Sequence, residues 1–111
     1  AHDWQGGLLP LFIKNFVTGD PAFYGARTVF SIHNLGYQGL LPRHKLWDVG
    51  VEDRFYRSDL LEFNGAASLL KAGIVFADAL TTVSPRYAEE IQTPEYGFGL
   101  DGLLRARRQV L

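Results

Sequence analysis

His33 and Asn34 stand side by side where a short β-branched and aromatic run, Thr28 to Ile32, comes to an end. An imidazole and a carboxamide supply neutral donors and acceptors, which suit sugar hydroxyls that both give and take hydrogen bonds. A histidine that only closes a strand would occupy the same place, and position alone favours neither reading. Asp3 and Trp4 form a second pair. A flat ring can cover the C–H faces of a sugar while a carboxylate accepts its hydroxyl protons. Taken alone, though, Asp3 reads first as the N-cap of a following helix and Trp4 as core. What lifts both pairs is their shared position. In open α/β sheets ligands bind beyond the carboxyl ends of the strands. His2-Asp3-Trp4, His33-Asn34 and Ser84-Pro85 all fall at such strand ends.

Other polar residues carry less. Glu62 and Asn64 precede an apolar run that reads as a helix, and Asn64 there reads as its cap. Lys71 lies within that run, where its stem can be buried and its head can reach the surface or a carboxylate. Arg105, Arg107 and Arg108 read as a solvated helix face. No phosphate-binding glycine loop and no G-x-S-x-G nucleophile elbow occurs. Tyr96-Gly97-Phe98-Gly99 is too short a signal to replace one. His2, His33 and His44 lack the spacing of a zinc-binding helix, so no metal site is expected.

The elements that must position these groups follow from periodicity. Leu8, Leu9, Phe12, Ile13 and Phe16 recur at helical spacing, which predicts a helix from Gly7 to about Val17 with Pro10 in its first turn. Thr18-Gly19-Asp20-Pro21 closes it. Thr28 to Ile32 predicts a strand. A Gly- and Pro-punctuated stretch from Leu35 to about Asp59 predicts a long loop with a helical turn near Leu46 to Val49, ended by Gly50. Ala66 to Phe76 predicts a second helix and Ala79 to Val83 a second strand. Ser84 as N-cap and Pro85 at the first helical position open a third helix running to about Gln92. Leu100 to Arg108 predicts a last short helix, with Val110-Leu111 opening another strand. Strands alternating with helices imply an α/β fold with a partial Rossmann-like parallel sheet, covered on both faces by flanking helices.

Composition bounds the function. The chain has 111 residues, 47% of them hydrophobic and 21% charged, enough for a core and too apolar for disorder. A formal net charge of -1 argues against electrostatic capture of nucleic acid or of an anionic membrane. No run of apolar residues is long enough to span a bilayer. Cysteine is absent, so no disulfide framework exists, and a reducing cytoplasm fits. The chain begins without Met and ends on Val110-Leu111, and both ends read as cuts through structured regions.

Five segments together resemble the bacterial ADP-glucose-dependent glycogen and starch synthases. Ala1 to Pro10 is similar to the segment HDWH(T/A)GL of that family. Thr28 to Gly39 is similar to VFTIHNLAYQG. Leu61 to Gly65, with Ser68 to Ile74, is similar to LEFYG followed by SLLKAGI. Thr81 to Ala88 is similar to TTVSPTYA, and Thr93 to Leu104 to TPE followed by GLDGLL. They occur in family order over nearly the whole chain. The resemblance implies the N-terminal Rossmann-like domain of a GT-B glycosyltransferase, with the C-terminal nucleotide-binding domain outside these residues. It implies transfer of glucose from ADP-glucose to the non-reducing end of an α-1,4-glucan with retention, without metal or cofactor, in the cytoplasm. It assigns catalytic roles to His33 and Asp3, and substrate contacts to Asn34, Trp4, Tyr37 and Gln38. Gln5 stands where the family has a second histidine, so no role passes to that position. A non-catalytic sugar-binding module would use the same Asp-Trp and His-Asn pairs and is the alternative.

Overall fold

The structure, a computed structural model, describes residues 1–16, 20–23 and 25–111. Gly7 and Leu8 form a turn, and helix α1 follows at Leu9–Asn15 with the buried Pro10 in its first turn. It begins two residues later than its apolar spacing predicts, and Gly7 is held in the preceding turn against the start of α2. A Cβ at Gly7 would lie 1.9 Å from the carbonyl oxygen of Leu69. The expected end of the helix at Val17 and the turn residues Thr18 and Gly19 lie outside the described residues.

Strand β1, Val29–Ile32, is the middle of the parallel sheet. On one side His2 bridges Ser31 in parallel, with Ser31 N–H donating to Ala1 O and Asp3 N–H to Ser31 O. Residues 1–3 therefore lie along β1 as a neighbouring strand would. On the other side β1 pairs in parallel with a strand at Ala79–Thr82 (β5), Val29 opposite Ala79 and Ile32 opposite Thr82. Phe30 and Ile32 are fully buried while Val29 is 48% exposed and Ser31 half-buried. One face is thus packed and the other open within this chain, where coverage on both faces was expected.

The stretch after β1 is not a plain loop. It holds strand β2, Leu40–Leu41, a 3-10 turn at Arg43–Val49 closed by left-handed Gly50, then β3, Glu62–Phe63, and β4, Ala66–Ser68. These three strands form an antiparallel sheet in the order β2-β4-β3. The predicted helix from Ala66 is corrected here: helix α2 spans Leu69–Phe76, and Ser68 is its cap, accepting from the Lys71 N–H. Asn64 caps nothing. With φ near 50° it turns the β3–β4 hairpin together with Gly65, also left-handed. An Asn-Gly pair at positive φ is the preferred two-residue hairpin connection.

Strand β5, Ala79–Thr82, leads to helix α3, Pro85–Glu90, where Ser84 Oγ accepts from the Tyr87 N–H as its sequence predicts. Helix α4, Asp101–Ala106, follows, and Arg108–Val110 make a 3-10 turn in place of the expected strand. Arg107 does not lie on a solvated face. Its guanidinium donates to the carbonyls of Val75 (3.1 Å) and Ala77, satisfying the free carbonyl end of α2.

Two apolar clusters hold the elements. The first joins Phe30, Ile32, Leu80, Leu70, Ile74, Ile91 and Leu104 around the parallel strands. The second joins Leu11, Leu46, Val51, Phe55, Leu61 and Ala72 around the antiparallel sheet. Helix α2 supplies residues to both. A fully buried Leu, Ile or Phe contributes about 1.5–3 kcal/mol, whereas ion pairs as exposed as Arg43–Asp53 are screened by solvent and add little, so packing decides the fold. No helix among the described residues is long and apolar enough to cross a membrane.

Candidate active site

The parallel strands end at one rim, and three of the expected residues meet there through direct bonds. Asp3 does not cap the turn that follows it. Its Oδ1 instead accepts from the main-chain N–H of His33 at 2.6 Å and of Asn34 at 3.3 Å. The Asp3 backbone has φ 52° and ψ -169°, a region that residues with a Cβ rarely enter. Such strain costs about 1–3 kcal/mol and persists where the surroundings impose it, commonly at functional sites. Here the backbone bonds to Ser31 fix residue 3 at the strand tip while its carboxylate is turned across to the next strand. The reading of Asp3 as an N-cap is therefore corrected.

His33 and Asn34 are both exposed. The Nε2 of His33 lies 3.1 Å from Nδ1 of His2, a partner that sequence reasoning passed over. The Asn34 carboxamide accepts from the Gly36 N–H at 3.0 Å, which tightens the loop leaving β1. The hydroxyl of Tyr87, from α3, accepts from the Leu35 N–H at 3.1 Å. The loop carrying the imidazole is thus held from the strand before it and the helix beyond it. The ring itself is left at the surface, where a ligand can reach it.

Trp4 is half-buried, and its ring lies against Gly39, where an added Cβ would come within 2.6 Å of it. Its indole braces the loop after β1 and packs on the first cluster, as its reading as core anticipates. Tyr37 is 68% exposed and free to meet a ligand. Gln38 is buried: its amide donates to Phe98 O at 3.1 Å and its Oε1 accepts from Ser68 Oγ at 3.0 Å. It ties the site loop to the cap of α2 and to the loop before α4. Phe98, with φ 50° and 57% exposure, reaches the same place, since a Cβ at Gly36 would lie 3.3 Å from its ring and 3.2 Å from Asn34 Oδ1. Only the left-handed backbone at an aromatic residue marks Phe98 out, and no spacing in the sequence reveals it.

Lys71 is far from any free surface role. Its Nζ donates to the carbonyls of Ser58 and of Glu62 (2.7 Å), and burial, partly opposed by the charge of Glu62, pulls its pKa below the usual lysine value. No group of three or more His, Asp or Glu side chains arranged to hold a metal occurs among the described residues.

The chain is similar to known proteins over nearly its whole length. The starch synthase catalytic domain matches residues 1–106. The chain is 52% identical over all 111 residues to a glycogen synthase of Desulforudis audaxviator, and 55% identical over 109 residues to one of Myxococcus xanthus. It covers 22% of the length of each. Among solved structures it superposes on the catalytic domain of starch synthase IV from Arabidopsis thaliana, bound to ADP and acarbose. The TM-score is 0.90 at 29% identity, over 98% of this chain and 23% of that one. With a partial parallel sheet, its rim residues and these likenesses in agreement, the chain belongs to the starch synthase catalytic domain family.

Proposed function

We propose that the chain forms part of the N-terminal Rossmann-like half of a GT-B glucosyltransferase. The whole enzyme moves glucose from ADP-glucose to the non-reducing end of an α-1,4-glucan with retention. A second domain, outside these residues, contacts the nucleotide. No metal ion or cofactor forms part of this reading, and the setting is the cytoplasm, in keeping with the cysteine-free composition. The observation that carries it is the bond from Asp3 Oδ1 to the main-chain N–H groups of His33 and Asn34. It sets an imidazole and a carboxamide at the strand rim where ligands of open α/β sheets bind.

The family resemblance suggests the roles, and the exposure of the rim residues supports them. His33 presents an imidazole beside the glucose being transferred, where an oriented dipole stabilises the positive charge that develops at the anomeric carbon. Asp3 holds the loop that carries it and adds a negative charge nearby. Asn34 and Tyr37 contact sugar hydroxyls, and Trp4 shapes the floor beneath them. Gln38, with both ends of its amide engaged internally, serves the substrate by fixing the loop. That the superposed Arabidopsis enzyme is bound to ADP and acarbose supports the donor and acceptor classes.

The test is His33→Ala in the full-length enzyme, assayed for glucose transfer from ADP-glucose to glycogen. Loss of turnover by about 10²-fold or more, with folding intact, is the expected result. Wild-type turnover would refute the role of His33.

A further inference from the structure

His2 and His33 are brought together by strand register. His2 bridges Ser31 in parallel, and His33 lies two residues beyond Ser31, on the same face of the sheet. Both imidazoles therefore rise from one face at the rim. Their ring centroids are 5.3 Å apart with planes inclined by 37°, and Nδ1 of His2 is 3.1 Å from Nε2 of His33.

A hydrogen bond between two imidazole nitrogens contains one proton, so one ring donates and the other accepts. The state of one ring then dictates the tautomer of the other. With Nε2 engaged, His33 has Nδ1 left for a ligand, and no other bond to its ring occurs among the described residues. The main-chain bonds from Asp3 fix where His33 begins, but they do not touch the ring. Rotation of the ring about its side-chain torsions, and the choice of the nitrogen that carries hydrogen, are left to His2.

We propose that His2 is a positioning residue for His33: its Nδ1···Nε2 bond fixes the rotation and tautomer of the imidazole that meets the sugar. This rests on the transferase reading above. The other functional groups around the pair are already committed to different partners. Asp3 is bonded to the main chain of residues 33 and 34, Tyr87 to Leu35 N–H, and Ser31 to Thr81 through their hydroxyls at 2.6 Å. None of them bonds the His33 ring in this structure. Binding geometry close to the reacting centre is worth large factors in rate, so loss of ring orientation acts on turnover more than on affinity.

The experiment uses the full-length enzyme with His2→Ala, His2→Asn and His33→Ala, measuring kcat and KM for ADP-glucose with glycogen as acceptor. Asparagine keeps a short side chain that can bond Nε2. The expected result is a fall in kcat of about ten-fold for His2→Ala, with KM changed by less than about two-fold, and recovery of most of that loss in His2→Asn. In parallel, ¹⁵N-histidine NMR of the same proteins is expected to show one fixed tautomer for His33 in the wild type and an averaged one in His2→Ala. Wild-type kcat in His2→Ala, or an unchanged His33 signature there, overturns the proposal. So does a His2→Asn enzyme no better than His2→Ala. Full activity in His33→Ala would instead remove the transferase reading of His33 itself, so the two failures are told apart.

Discussion

The parallel and antiparallel halves of this chain share helix α2 and little else. The antiparallel sheet is locally complete. Its hairpin turns on Asn64-Gly65, in the conformation those residues prefer, and Lys71 reaches from α2 to hold the carbonyls of the loop beneath it. The parallel half is the opposite. One of its faces is open, its backbone is strained at Asp3, and its loops are joined by side chains that reach across about thirty positions or more of sequence. The candidate site lies at the rim of the strained, open half, braced from the other by the Gln38–Ser68 bond. A local hairpin starts the support, which β2 completes by pairing Leu40 with Ser68, and long-range side-chain bonds tie the rim together.

The largest effect expected from this contrast is at Asp3. In the full-length enzyme Asp3→Gly removes the carboxylate that holds residues 33 and 34 but relieves the unfavourable backbone. Turnover should fall by about 10²-fold while the melting temperature does not fall, because relief of about 1–3 kcal/mol of strain offsets the lost bonds. A large drop in melting temperature would show that the strain at Asp3 is not stored there for function.

Gly7 tests whether the two halves are locked together. A methyl group there overlaps the Leu69 carbonyl at the start of α2, and backbone cannot swing aside as a side chain can. Gly7→Ala should cost about 3 kcal/mol or more in urea unfolding. A neutral result would mean that the strand tip and α2 move independently. Ser68→Ala removes a helix cap and the hydroxyl that donates to Gln38 Oε1, and should cost about 1–2 kcal/mol. It should also weaken the site loop, which Gln38 braces, so a modest loss of activity should accompany the loss of stability.

Lys71 gives the smallest and most specific signal. Burial lowers its pKa in the folded protein below the ordinary lysine value of 10.5, so across the window just below that value the unfolded chain binds more protons. Stability from this group therefore rises with pH through that window. In Lys71→Met the rise should disappear, as read from urea midpoints at a series of alkaline pH values.

Much of this was legible in the residues. The strand from Val29 to Ile32, the capping of α3 by Ser84 and the turn ended by Gly50 all follow from type and spacing. So does the convergence of Asp3, His33 and Asn34 at one rim, because strand ends are readable from sequence. The antiparallel strands were missed because two or three residues are too few to show a period, and Ala66-Ala67 carry a helical preference that the sheet overrides. The signal that could have found them is Asn64-Gly65, read too readily as a cap. The destination of the Asp3 carboxylate was hidden for a different reason. A helix cap is a local bond that spacing predicts, whereas a bond to residues thirty positions away depends on tertiary register.

That register also bears on the order in which the molecule assembles. The hairpin from Glu62 to Ser68 closes over a handful of residues, while Ser31 meets Thr81 only across a separation of 50. Closing a longer segment costs more chain entropy and slows pairing. The support is thus expected to form early and the parallel rim last, and pulse-labelled amide exchange during refolding should show Ser68, whose N–H donates to Leu61 O, protected before Ser31. A nascent chain would then bring its rim side chains together only after everything beneath them is in place.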